Sequence, residues 1–258
     1  PFERIELLFG PGALECFARS RVLLLGAGAV GATAAESLVR SGIGHLTLVD
    51  FDEFRASNLN RHPFAFRSTL GHSKAETTVR FLHDIHPEAD ILARSLFVDA
   101  SNADALLAEH PSDVLLDAID SLLPKTDFLL AAQRSGHPYI LSCLGAARKT
   151  DPMRFAVADL FDTHTCPLAH LLRKRLRRRG AGRGISCIFS TEPPTPMSGT
   201  NEEAAPDFLD RGRRRAPMGS LHAVTAAAGQ LAARTALLHL LTARPLAAPF
   251  PSAAPQPV

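Results

Sequence analysis

The stretch RVLLLGAGAVGATAAESLVRSGIGHLTLVD, residues 21–50, decides the fold. Val22 to Leu25 are an unbroken apolar run, the pattern of a strand buried on both faces of a parallel sheet. Gly26, Gly28 and Gly31 follow at G-x-G-x-x-G spacing, and a helix rich in small residues (Ala32, Ala34, Ala35, Leu38, Val39) comes next. The first glycine permits a sharp turn, the second lets the backbone approach a pyrophosphate, and the third lets helix and strand pack closely. The helix N-terminus offers unpaired N–H groups and partial positive charge to an anion. After a turn at 41–44, His45 to Val49 form a second strand ending in Asp50, nineteen residues past Gly31. A carboxylate there can accept both hydrogen bonds of a ribose diol. The context makes this a nucleotide site, with NAD, FAD and ATP still open.

At 258 residues, 46% hydrophobic and 21% charged, the chain suits one large soluble α/β domain with an elaborated C-terminal part. No apolar run is long enough to span a membrane and the N-terminus lacks a signal pattern, so a cytoplasmic location is expected. The four cysteines are scattered without a C-x-x-C pair, which argues against a disulfide framework and against a zinc ribbon. Charge is unevenly shared. Residues 1–150 carry 14 Lys/Arg against 18 Asp/Glu, a balance of −4, whereas 151–258 carry 14 against 8, a balance of +6. A polyanionic partner engaging the second half fits that split.

Working outward, Phe2 to Ala18 reads as an arm of short helical pieces. The polar stretch after Asp50 runs outside the carboxyl ends of the strands and carries Asn58, Arg61 and Lys74. His72 to Ile85 is an amphipathic helix, Ile91 to Val98 a third strand and Ser101 to Glu109 a helix with a serine cap. Val114 to Leu116 form a fourth strand ending in Asp117-Ala118-Ile119-Asp120, Ser121 and Pro124 open another helix, and Tyr139 to Ser142 form a fifth strand. Strands alternating with helices predict a doubly wound, mostly parallel, Rossmann-like sheet. Further on, Arg154 to Ala158 is a short strand, and Pro167 to Arg179 an amphipathic helix burying Leu168, Leu171, Leu172 and Leu176. Ile185 to Ser190 is a strand, Thr191 to Gly219 a mobile loop and Ser220 to Leu241 an Ala/Leu helix. A single domain is expected over 1–242, with a nucleotide-binding half (1–150), a basic half (151–242) and a disordered Pro-rich tail (243–258).

Four residues discriminate among the nucleotides. Asn58 and Arg61, at N-x-x-R spacing, reach phosphates from the loop after the second strand, and Lys74 joins them from the next helix. Asp120 ends the fourth strand, where it is placed to hold Mg²⁺. Hydride transfer has little use for cations around a third phosphate, whereas breaking the α–β bond of ATP needs them on the departing pyrophosphate. Together they favour ATP.

At these residues the chain resembles the ThiF/MoeB/HesA group of E1-like adenylating enzymes, in GAGAVG (26–31), TLVDFD (47–52), SNLNR (57–61), LGHSK (70–74) and DAIDS (117–121). Within that group it looks like the tRNA threonylcarbamoyladenosine dehydratases. The matching pieces are FERIELLFG (2–10), VRSGIG (39–44), DAIDSLLPKTDFL (117–129), KTDPMRFAVADL (149–160), CPLAHLLRKRLRRRG (166–180) and CIFSTEPP (187–194). The resemblance implies ATP- and Mg²⁺-dependent activation of the threonylcarbamoyl carboxylate on tRNA adenosine 37, followed by ring closure through the side chain's own nitrogen. It implies that Asp50 holds the ribose, that Asn58, Arg61 and Lys74 bind phosphates with Arg61 stabilising the transition state, and that Asp120 holds Mg²⁺. Arg4 matches an arginine that crosses a homodimer interface to the partner's ATP. A cysteine-desulfurase system as partner, the choice of tRNA and any monovalent-cation site stay open. The chain lacks the paired C-x-x-C zinc motifs of the sulfur-carrier activators and a cysteine placed like a ubiquitin-type nucleophile, so zinc is not expected.

Plainer readings stand beside these. Asp117 suits a sheet-end or capping role better than metal ligation. Cys143 and Cys187 suit small core positions, Cys166 the start of a helix, and Cys166 with His170 too few ligands for a metal. The run Arg173, Lys174, Arg175, Arg177, Arg178 and Arg179 is either a solvated helix face or, with Arg211, Arg213, Arg214 and Arg215, a contact for the tRNA backbone. The competing reading of the whole chain is an adenylyltransferase that charges the C-terminal glycine of a ubiquitin-like sulfur carrier. The basic region favours tRNA.

Overall fold

A computed structural model describes residues 2–196 and 218–243. Its centre is one seven-stranded sheet in the order β3-β2-β1-β4-β5-β7-β6. The strands are β1 (Arg21–Leu25), β2 (His45–Val49), β3 (Asp90–Arg94), β4 (Val114–Asp117), β5 (Ile140–Cys143), β6 (Phe155–Asp159) and β7 (Ile185–Ser190). All neighbours are parallel except β6, which closes one edge antiparallel to β7. Both halves of the chain supply strands to it.

Alternation along β1 explains why its sequence is uniformly apolar. Val22 and Leu24 face the core beneath α2 (Ala13–Arg19), α3 (Ala29–Arg40), α4 (Lys74–Ile85) and α8 (His222–Ala243). Leu23 and Leu25 face the core beneath α5 (Ala103–Glu109), α6 (Leu122–Arg134) and α7 (Pro167–Arg178). A strand covered on both sides has no polar face to show. The predicted N-terminal arm is α2 preceded by α1 (Glu3–Phe9), which buries none of its residues. Close approach on the first face is built from small residues: a Cβ at Gly229 of α8 would stand 2.5 Å from Val30 O in α3.

Several boundaries differ from the sequence expectations. The third strand stops at Arg94, not Val98, because its partner β2 ends at Val49, which registers with Arg94. Val98 is still buried, as a loop residue, which is why the apolar run outlasts the pairing. The expected serine cap of α5 is instead Asn102 at the N-cap position, while the Ser101 hydroxyl donates to Asp99 at 2.5 Å in the preceding turn. The helix after the polar loop begins at Lys74, two residues later than predicted, and Ser73 caps it by accepting from Glu76 N. On α7, Leu171 is exposed at 47%, while Ala169, Leu172 and Leu176 form the buried stripe. The expected loop core, the cluster Arg211, Arg213, Arg214 and Arg215, and the Pro-rich tail beyond Ala243 lie outside the described residues.

Candidate active site

The strand order reverses between β1 and β4, since β2 and β3 lie on one side and β4 and β5 on the other. Ligands of open α/β sheets bind at such a point, outside the carboxyl ends of the strands. The three glycines sit there with distinct duties. Gly26 has φ +93°, and a Cβ on it would meet Ala118 O at 2.8 Å. A Cβ on Gly31 would stand 1.8 Å from Gly26 O, so only glycine lets α3 close onto the turn. A Cβ on Gly28, at the N-cap of α3, would meet nothing within 4 Å. Open space above a helix N-terminus suits an anion.

Asp50 follows β2 and holds the turn from the side. Its carboxylate accepts from Ala27 N at 2.6 Å and from Asp52 N at 2.7 Å. Burial pushes its pKa above the ordinary value; Lys74 opposes that and Asp52 reinforces it. Lys74, the first residue of α4, is itself buried, and its Nζ lies 2.8 Å from Asp52 Oδ2. A chain of contacts therefore runs from the glycine turn through Asp50 and Asp52 to Lys74. This places Lys74 beside the crevice with its charge already oriented.

Asn58 ends a short 3-10 turn, Ala56–Asn58, and its side chain accepts from Arg55 N at 3.0 Å. Arg61 is half-buried, and its guanidinium donates to Ser57 O at 2.7 Å and Asn60 Oδ1 at 3.0 Å. Its own carbonyl accepts from His222 Nδ1 at 2.7 Å, while Asn60 Nδ2 donates to Ser220 O at 3.0 Å. Engaging a phosphate therefore requires Arg61 to exchange neutral oxygens for anionic ones, which make the stronger bonds. Asp120 is exposed just past β4, with the Ser121 hydroxyl 3.4 Å away. Ser121 occupies the N-cap of α6 without a side-chain cap bond to it.

Sequence reasoning missed three residues. His62, 5% exposed, reaches the glycine turn: Nδ1 accepts from Phe64 N at 3.1 Å, which leaves Nε2–H to donate to Ala27 O at 2.6 Å. Burial lowers its pKa to about 4. Asp52 orients Lys74 as described, and Lys125 pairs with Asp117 in the core. Asp117 is thus a fully buried sheet-end partner of a lysine, the structural role favoured for it. A lysine inside the apolar stretch LLPKTDFLLAA was the available signal.

The His62 shift has a testable consequence. With its folded pKa depressed below the free value of 6.5, the unfolded chain takes up the proton first as pH falls. Stability is therefore full above that value and erodes between it and about 4, by about 2 kcal/mol at pH 5. His62→Gln is expected to remove that part of the slope in denaturant titrations between pH 7 and 5.

Elsewhere the expected residues are scattered. Arg4 is exposed on α1 beside Leu7 and Leu8. Of the basic run on α7, Arg173 is turned inward and donates to Thr163 O at 2.8 Å, correcting its expected exposure. Arg177 lies over the Phe161 ring, 5.0 Å from its centre, and Arg179 pairs with Asp127. Lys174, Arg175 and Arg178 are exposed, with no acidic partner among the described residues. All four cysteines are buried free thiols, Cys166 at the N-cap of α7, and burial pushes Cys143 up to about 12. Among the described residues no three His, Cys, Asp or Glu gather as a metal cluster, and no helix is long and apolar enough to cross a membrane.

Comparison with known proteins extends over nearly the whole chain. The tRNA threonylcarbamoyladenosine dehydratase of Bacillus subtilis is 34% identical over 241 residues, 93% of this chain and 94% of that protein. The Escherichia coli tRNA N6-threonylcarbamoyladenosine dehydratase, TcdA, crystallised in complex with AMP, superposes with a TM-score of 0.84 at 31% identity, covering 94% of each chain. Its complex with ATP superposes at 0.82 and 30% identity, again over 94% of each. The model of the ThiF family matches residues 3–251, nearly the whole chain, and this chain belongs to the ThiF family.

Proposed function

We propose that this chain is an ATP-dependent enzyme of the E1-like adenylating type that acts on N6-threonylcarbamoyladenosine at position 37 of tRNA. The observation that carries the reading is the likeness, over 94% of both chains, to a tRNA-modifying dehydratase seen with ATP and with AMP. The crevice over β1 and β4 has the parts the chemistry needs. An oxygen of the threonylcarbamoyl carboxylate attacks the α-phosphorus, the bond to the bridging oxygen breaks, and pyrophosphate leaves. The side chain's own nitrogen then attacks the activated carbonyl, loses its proton and expels AMP, so the nucleoside has lost one water.

The protein's part is positioning and charge compensation, with no covalent nucleophile required. The N-terminus of α3 receives phosphates above Gly28, and Asp50 accepts from the ribose while holding Ala27 N. Asn58 steadies the loop, and Arg61 and Lys74 take up the charge that gathers on the leaving group. Asp120 is exposed at the strand end and fits Mg²⁺, which commonly binds through one or two carboxylates plus substrate phosphates and retained waters. Bound there, Mg²⁺ would neutralise phosphate charge. A homodimer in which Arg4 reaches the partner's nucleotide is supported by that residue's exposure beside Leu7 and Leu8 on an otherwise unburied helix. A tRNA substrate is compatible with work in the cytoplasm.

On α7, Lys174, Arg175 and Arg178 are the cations available to the tRNA backbone, whereas Arg173 is committed to the fold. Replacing those three with glutamine is expected to weaken tRNA binding and flatten the salt dependence of log K by about two to three, near 0.7–0.9 per lost phosphate contact. An unchanged slope would return α7 to a solvated face. The overall reading is tested by incubating the protein with Mg²⁺, ATP and hypomodified tRNA. AMP formation with dehydration of the nucleoside supports it. Pyrophosphate exchange triggered only by a small protein ending in Gly-Gly would instead support the sulfur-carrier alternative.

A further inference from the structure

Beneath the crevice floor lies a charge pair that takes no direct part in the chemistry. Lys125 of α6 and Asp117, the last residue of β4, are both at 0% exposure, with Nζ 2.6 Å from Oδ2. Nζ also donates to Ile119 O and to Cys143 O, each at 2.9 Å, so all three ammonium protons are used. Asp117 accepts further bonds from Ser142 Oγ at 2.7 Å and Ile119 N at 3.0 Å. Desolvating two charges seldom yields net stability over apolar residues of the same size, so stability alone is a weak reason for the pair.

Its geometry supplies a better one. Ile119 is gripped twice, by its N–H and by its carbonyl, immediately before Asp120. Cys143 O is the last carbonyl of β5, and Ala118, beside Ile119, donates to Leu25 O at 2.7 Å directly under Gly26. The glycine turn and the ends of β4 and β5 thus meet at one buried node. Within it the Lys125 ammonium bonds the backbone carbonyls past both strand ends, Ile119 O and Cys143 O.

We propose that Lys125 is a positioning residue for adenylation: its ammonium, through Ile119 O and Cys143 O, fixes the segment carrying Asp120 relative to the glycine turn and the end of β5. This rests on the proposed reaction. Asp117→Asn combined with Lys125→Met removes both charges together and strands neither. The folded double variant is expected to bind ATP without Mg²⁺ within about twofold of the parent, yet to form AMP about 100-fold more slowly. By calorimetry it should need about tenfold more Mg²⁺ for half-maximal enhancement of ATP binding, as loss of an outer support does for metal ligands.

A purely structural pair would lower the melting temperature and leave kcat and the Mg²⁺ midpoint of the folded protein unchanged, and that result overturns the proposal. If the double variant does not fold, Ser142→Ala decides, because it loosens Asp117 while keeping the ion pair. It should lower kcat about tenfold with KM for ATP within about twofold, and an unchanged kcat overturns the proposal. Failure of the parent protein to make AMP from tRNA would instead reject the reaction. The Mg²⁺ midpoint for ATP binding then tests the node alone, and an unshifted midpoint in the double variant overturns it.

Discussion

Lys74→Ala is expected to slow AMP formation by about 100- to 1000-fold, the usual cost of removing one preorganised electrostatic contact to a developing charge. The fold should survive. Lys74 lies at the first position of α4, where Ser73 still supplies the cap, and its partner Asp52 keeps contact with water at 27% side-chain exposure. Two secondary effects distinguish this from general damage. Lys74 holds the Asp50 carboxyl down against the upward push of burial, so without it the Asp50 pKa rises further. A ribose-binding carboxylate must be ionised to accept both hydrogen bonds, so the acidic limb of ATP binding should move to higher pH. Lys74→Arg keeps the charge and should retain more activity than the alanine. Near-normal turnover in Lys74→Ala, measured as AMP release, would remove this lysine from the phosphate site.

The second large effect concerns stability. Gly31→Ala places a Cβ 1.8 Å from Gly26 O and 3.2 Å from the Ala118 side chain, backbone and packed contacts that cannot yield cheaply. The helix must lift from the turn, at a cost of about 3 kcal/mol or more. A sharply lower melting temperature or insoluble expression is the expected result. Gly28→Ala is the control: nothing lies within 4 Å of its Cβ, so the fold should hold while the methyl intrudes on the phosphates and ATP affinity falls. Equal melting temperatures for both variants would contradict the roles given to these glycines.

The contrast between these two glycines shows what the sequence made legible. Spacing alone predicted a strand, a turn, a helix and a second strand, because a doubly buried strand and a glycine triplet leave few alternative folds. The doubly wound, mostly parallel sheet followed from strands alternating with helices, whereas the full strand order came only with the structure. What stayed hidden were contacts between segments distant in sequence. His62 reaches back 35 residues to Ala27, and Lys125 reaches 18 residues forward to Cys143. Neither carries a local signature, since a buried polar side chain is recognisable only once its partners are known. The basic run on α7 was legible as charge but not as availability: Arg173 and Arg179 have partners in Thr163 and Asp127 that no helical periodicity discloses. Strand length was misjudged at β3 because burial of Val98 continues after hydrogen bonding to β2 ends.

All of this depends on a crevice that breaks the α–β bond of ATP rather than holding a nucleotide for other work. The most direct measurement supplies α-³²P-ATP, Mg²⁺ and hypomodified tRNA, and follows labelled AMP together with the mass of the nucleoside at position 37. Labelled AMP appearing in proportion to nucleosides that have lost one water is the predicted result. Labelled ADP, or ATP left intact while the nucleoside is unchanged, would contradict it.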